Sequence, residues 1–133
     1  MSRGMITISH GTFAAAINCM GGRTQPPVIE YLKSKYGVDY VDAITEPGPN
    51  RILAENRDQI AIDSIRRGLE ISVMKHGSKH VVIVGHHDCT RNPTDKETQL
   101  RQIAAAFEMV KSWEFPYEIT GLWVDEQWKV HEV

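Results

Sequence analysis

Cysteine, blocks of basic charge and long apolar runs are all scarce in this sequence. Only two of its 133 residues are cysteine, Cys19 and Cys89. Two thiols cannot build the disulfide scaffold of a small secreted domain. A chain of this length can bury a core without one. Lysine and arginine number 15 against 17 acidic residues, and they form no block. That leaves no electrostatic footprint for nucleic acid. No apolar stretch approaches the ~18 residues that a membrane span needs. "FAAAINCM" has the composition of a signal-peptide core, but it is short, broken by Asn18 and followed by Gly-Gly-Arg, which argues against that reading. The expectation is a cytoplasmic protein with no nucleic-acid or membrane partner. A reducing compartment disfavours a disulfide and gives weight to a metal-binding or catalytic use of the cysteines.

The sequence shows no internal repeat, low-complexity tract or linker, so one domain over residues 1–133 is expected. Residues 12–20, "TFAAAINCM", read as a central strand with small side chains, suited to close helix packing on both faces. "PPVIEYLKSKYG" follows as a helix, with proline in its first turn and Gly37 just past its end. Residues 38–44 are a second strand, ended by the turn cluster "TEPGPN". A long helix over 55–76 carries the stripe Ile62, Ile65, Leu69 and Val73, and Gly77 stops it. "HVVIVG" (80–85) is a short continuous apolar run, as in a strand buried on both faces. The next helix opens with Thr94 and Glu97 at capping-box spacing and turns Leu100, Ile103, Phe107 and Val110 inward. "YEITGLWVD" and "WKVHEV" close the chain as two strands around a turn at Asp125–Glu126. Strands alternating with helices imply an α/β domain. Its central sheet is mostly parallel and flanked by helices, with a C-terminal antiparallel hairpin or edge strand.

In such sheets ligands gather at the carboxyl ends of the strands. Cys19 ends one apolar run. His86 and Cys89 end another, in "VVIVGHHDCT". Two thiols and an imidazole suit zinc, which in catalytic sites keeps three protein ligands and one open position. Other readings stand beside this one. Each cysteine can be an inert buried thiol. One can be a nucleophile with His86 or His87 as its base. His87, next to the proposed ligand, is an alternative ligand, a proton carrier or a supporting residue. His10, His76, His80 and His131 fall near element ends and read as solvated. The three tryptophans read as core or interface, with Trp123 and Trp128 covering an edge at the terminal hairpin.

"CMGGR" (19–23) and "GHHDC" (85–89) together resemble the two signatures of the β-class carbonic anhydrases, Cys-x-Asp-x-Arg and Gly-His-x-Asp-Cys-Gly. The order of elements matches over most of the chain, and "EITGLWVD" is similar to the family's last core strand. The resemblance implies one Zn²⁺ per chain on Cys19, His86 and Cys89. It implies a zinc-bound hydroxide that hydrates carbon dioxide or attacks a related small electrophile. It places Arg23 as the catalytic arginine, with Gly21, His87 and Asp88 beside the substrate or supporting the ligands. It also implies a homodimer or higher homo-oligomer.

The departures from the motif carry their own expectations. The family's aspartate is Gly21 here, its glycine after the second cysteine is Thr90, and its Arg-Asn-Ala-Gly-Asn-like stretch is "TEPGPN". The family's N-terminal helical arm is nearly absent. Without the aspartate no side chain at position 21 can cap the zinc, so the fourth position is expected to stay open. Arg23 loses its usual partner and is expected either to face a small anionic substrate or to pair with Asp88, Glu46 or Asp42. The alternative function is a non-catalytic, zinc-stabilised module that binds an anion or a partner.

Overall fold

The computed structural model describes residues 11–133. The elements run β1 (Phe13–Cys19), α1 (Gln25–Tyr36), β2 (Tyr40–Glu46), α2 (Pro49–Glu55), α3 (Gln59–Met74), β3 (His80–His86), α4 (Lys96–Ser112), β4 (Glu118–Val124) and β5 (Val130–Glu132). They form one five-stranded sheet in the order β2-β1-β3-β4-β5. The first four strands are parallel and β5 returns antiparallel against β4. The expected α/β architecture with a C-terminal antiparallel edge is what the chain adopts.

Strands β1 and β3 are buried almost throughout, because helices cover both faces of the sheet. On one face Ile17, Ile83 and Ala15 pack against Leu53, the α3 stripe and Ile103, Ala106 and Val110 of α4. On the other, Ala14, Ala16, Val82 and Val84 meet Val28 and Leu32 of α1, with Leu122 and Val124 completing the layer. Alternate residues of one strand thus feed two different cores, the period-two geometry of a strand. Among the described residues, no helix is long and apolar enough to cross a membrane.

Four boundaries differ from expectation. The long helix expected over 55–76 is α3, which starts only at Gln59; residues 49–55 before it form a separate helix, α2, that ends at Asn56 in the left-handed region (φ 53°). "TEPGPN" is only half a turn. Gly48 takes φ 63° and Pro49 opens α2, where its missing N–H costs nothing. α4 is capped by Asp95, whose carboxylate accepts the Thr98 N–H at 2.7 Å, rather than by Thr94. β2 begins two residues later than expected and runs on to Glu46. Gly37 does end α1, at φ 66° with its N–H on the Lys33 carbonyl.

Candidate metal centre

The sheet order fixes where a site can form. After β1 the chain crosses to one side, to β2. After β2 it crosses back beyond β1 to β3. The carboxyl ends of β1 and β3 therefore border the switch point, where open α/β sheets leave a crevice. The pairing register shows the crevice opening. β1 and β3 pair at Ala15–Val81, Ala16–Val82 and Ile17–Ile83 and no further. β3 stays paired with β4 as far as His86–Val124.

Beyond Ile83, buried amides take over the side of β3 that β1 has left. Asn50 Nδ2 donates to the Val84 carbonyl at 2.8 Å. Gln99 Oε1 accepts the His86 N–H at 3.2 Å and its Nε2 donates to the His86 carbonyl at 2.8 Å. Their approach requires Gly85. A Cβ there would lie 2.9 Å from Asn50 Nδ2, 3.0 Å from Gln99 Oε1 and 2.8 Å from Ile103 Cδ1. At the end of β1, Asn18 Oδ1 accepts the Cys19 N–H at 2.8 Å and the Thr24 hydroxyl at 3.0 Å, which folds the 19–24 loop back on its strand.

Cys19, His86 and Cys89 meet in this crevice. All three are buried, and one ligand atom from each lies within 4.8 Å of the others. The two Sγ atoms are 3.9 Å apart. Two sulfurs at ~2.3 Å from a tetrahedral zinc stand about 3.8 Å apart, so the spacing suits that ion. His86 Nδ1 lies 2.8 Å from the His87 carbonyl. A carbonyl can only accept, so Nδ1 carries the proton and Nε2 keeps its lone pair. That Nε2 is buried with no hydrogen-bond partner among the described residues. An unpaired buried acceptor is costly, and a cation removes the cost. The donor set fits a thiophilic, imidazole-binding divalent metal.

The two thiols act on each other across their 3.9 Å contact. Cys19 is pulled well below the ordinary thiol range, first by the Cys89 thiol donating to it. Burial opposes this. His86 and the N–H groups of Gly21 and Gly48 add to it. Cys89 is pushed up by the same bond, by burial and by the charge on Cys19, against N–H groups of Arg91 and Asn92. Backbone donors aimed at both sulfurs prepare them to be thiolates.

The remaining site residues lie around the rim. Arg23 is not an unpaired cation. Its Nη1 is 3.3 Å from Asp88 Oδ2, its Nη2 donates to the Asp88 carbonyl at 2.9 Å, and its guanidinium lies 4.5 Å from the Trp128 ring centre. Of the three expected partners the structure selects Asp88 and not Glu46 or Asp42. Asp88 sits at φ 59°, a region aspartate enters more readily than most residues. Gly21 offers open space. A Cβ there would meet only Cys19 Sγ, at 3.7 Å. His87 is exposed and, with Asp88, Cys89, Lys96, Trp123 and His131, lines a groove of about 1040 Å³.

Two histidines read as solvated are in fact engaged. His76 Nδ1 is 2.6 Å from Asp42 Oδ2 and the ring stacks on Phe13, while His80 stacks on Tyr36 at 3.8 Å. His131 is exposed, with Nε2 2.7 Å from Asp125 Oδ2. That contact and two backbone N–H groups hold the Asp125 carboxyl down at about 2. His10 lies outside the described residues.

A model of the family described as "Putative carbonic anhydrase" matches residues 9–133. The chain belongs to that family. Among solved structures it is similar to one described under tetrameric β-carbonic anhydrases from the filamentous ascomycete Sordaria macrospora. The TM-score is 0.53 at 14% identity, with 94% of this chain and 81% of that chain covered. At that identity the likeness is one of fold. No curated protein matches the chain.

Within a carbonic-anhydrase-like frame, sequence reasoning missed Asn18, Asn50, Gln99 and Trp128. Gln99 and Asn18 had a legible signal, each being a polar residue within an apolar pattern. Asn50 sat in a segment read as turn. Trp128 reaches the site only through the return of the terminal hairpin, which spacing alone does not reveal.

Proposed function

We propose that this protein binds one zinc ion per chain on Cys19, His86 and Cys89 and hydrates carbon dioxide, or a related small electrophile, at that centre. The observation that carries the reading is the buried, unpartnered Nε2 of His86 beside two sulfurs 3.9 Å apart. Family membership and the carbonic-anhydrase fold support it. When bound, zinc supplies the Lewis acidity that makes water a nucleophile near neutral pH.

The chain's own residues do the rest. Gln99 holds the His86 backbone, and the His87 carbonyl fixes the imidazole tautomer. Arg23, with its side chain 53% exposed, is the cation that meets an anionic substrate or product at the rim. His87, facing the groove, carries protons between centre and solvent. Gly21 leaves the face above Cys19 open. The missing carboxylate also favours a second reading, a zinc-stabilised module that binds a small anion or a partner without turnover.

Two free thiols suit a reducing, cytoplasmic setting. The tetrameric description of the Sordaria enzymes supports a homo-oligomer here, and exposed Tyr40, Ile60 and Met74 offer apolar surface to cover.

Stopped-flow carbon dioxide hydration tests the enzymatic reading. Zinc-loaded wild type is expected to exceed Cys19→Ser by at least about tenfold. Equal rates, with zinc bound to wild type, would favour the binding module.

A further inference from the structure

We infer that Trp128 is a positioning residue for the metal centre, acting through Arg23 and Asp88 on the imidazole of His86; this rests on reading Cys19, His86 and Cys89 as the zinc site. The chain of contacts begins at His86, whose Nδ1 donates to the His87 carbonyl at 2.8 Å. That carbonyl belongs to the peptide joined to the nitrogen of Asp88. Rotation about the Asp88 N–Cα bond, held at φ 59°, sets where it points. Arg23 grips Asp88 on the far side of that bond, by carboxylate and main-chain carbonyl together. With the carbonyl fixed, Nδ1–H is fixed, and Nε2 keeps its lone pair and direction.

Arg23 is half-exposed, and a long side chain in water gives up a good deal of rotamer entropy to stay in one place. What fixes it is the indole of Trp128, 4.5 Å from the guanidinium. A flat cation on an aromatic face keeps its in-plane N–H groups free to donate sideways, as they do to Asp88. Trp128 is itself constrained. It sits at φ 61°, unusual for a bulky side chain, with its N–H on the Asp125 carbonyl at 2.9 Å. Asp125 Oδ1 accepts the Gln127 and Lys129 N–H groups and closes the turn. The Trp128 ring also lies 6.4 Å from the His86 ring, so it walls the crevice directly. A hairpin some forty residues downstream of the ligands thereby completes their support.

Zinc affinity, measured by competition with a chromophoric chelator on the full chain, tests this without recourse to activity. Trp128→Ala is expected to bind zinc at least about tenfold more weakly than wild type. Trp128→Phe, which keeps an aromatic face, should stay within about threefold. Trp128→Leu keeps apolar bulk but no face and should behave like the alanine variant. Arg23→Ala should show the same loss, and Arg23→Ala/Trp128→Ala no further loss, because both act along one chain of contacts. Cobalt-loaded Trp128→Leu should show a shifted ligand-field spectrum and Trp128→Phe an unshifted one. If Trp128→Ala does not fold, the leucine and phenylalanine variants decide. Wild-type affinity in Trp128→Leu, or losses that multiply in the double variant, would overturn the inference. Failure of wild type itself to bind zinc would remove the zinc reading, and this inference with it, before any variant is compared.

Discussion

Gly21 is the residue at which this chain departs most sharply from the β-carbonic anhydrase signature. Nothing in its surroundings demands glycine. An added Cβ would make only an ordinary contact with Cys19 Sγ at 3.7 Å. The position is open, and the missing carboxylate is a chemical difference rather than a steric one. Gly21→Asp should therefore fold with stability within about 1 kcal/mol of wild type. In the zinc-loaded protein it should hydrate carbon dioxide faster, the new carboxylate restoring an acceptor beside the reacting water. Unchanged or slower turnover in a stable Gly21→Asp would mean that the lost carboxylate is not what limits this centre.

At the scale of elements, the site exists because two neighbouring strands separate. β1 and β3 stop pairing after Ile17 and Ile83, and amide side chains replace the lost ladder. Gln99 satisfies both backbone groups of His86, so Gln99→Leu keeps the volume and strands a buried N–H and a buried carbonyl. Each unsatisfied group costs about 1–3 kcal/mol. Urea unfolding should accordingly register a loss of about 2–6 kcal/mol, with weaker zinc retention; a loss below about 0.5 kcal/mol would show that these bonds do not support the strand end. The elements were largely legible in advance, because small or β-branched runs and the 3.6-residue stripes of α3 and α4 are local signals. Their ends were less so. The Pro-Gly-Pro stretch after β2 signals a turn and a helix start at once. Residues 49–55 form a helix that seats Leu53 in the core. The amides that brace His86 act across distances along the chain that no local pattern reports.

For the whole molecule, Cys19 and Cys89 were visible as strand-end thiols, and the resemblance joined them. The sheet order supplies the physical reason. β1 and β3 are neighbours at the point where the crossovers diverge, so residues 70 apart share one crevice. Asp88 was among the partners the sequence offered Arg23, whereas Trp128's approach was illegible because it depends on how the C-terminal hairpin folds back over that crevice. In the proposed centre the two strand ends meet over a metal ion. Native mass spectrometry of wild type and Cys19→Ser, purified without a metal-affinity tag, tests it most directly and counts subunits in the same spectrum. The prediction is about one zinc per chain in a homo-oligomer, with the zinc lost in Cys19→Ser. Wild-type protein free of metal, or zinc retained in full by Cys19→Ser, would contradict the claim and leave the two cysteines as buried thiols in a carbonic-anhydrase fold.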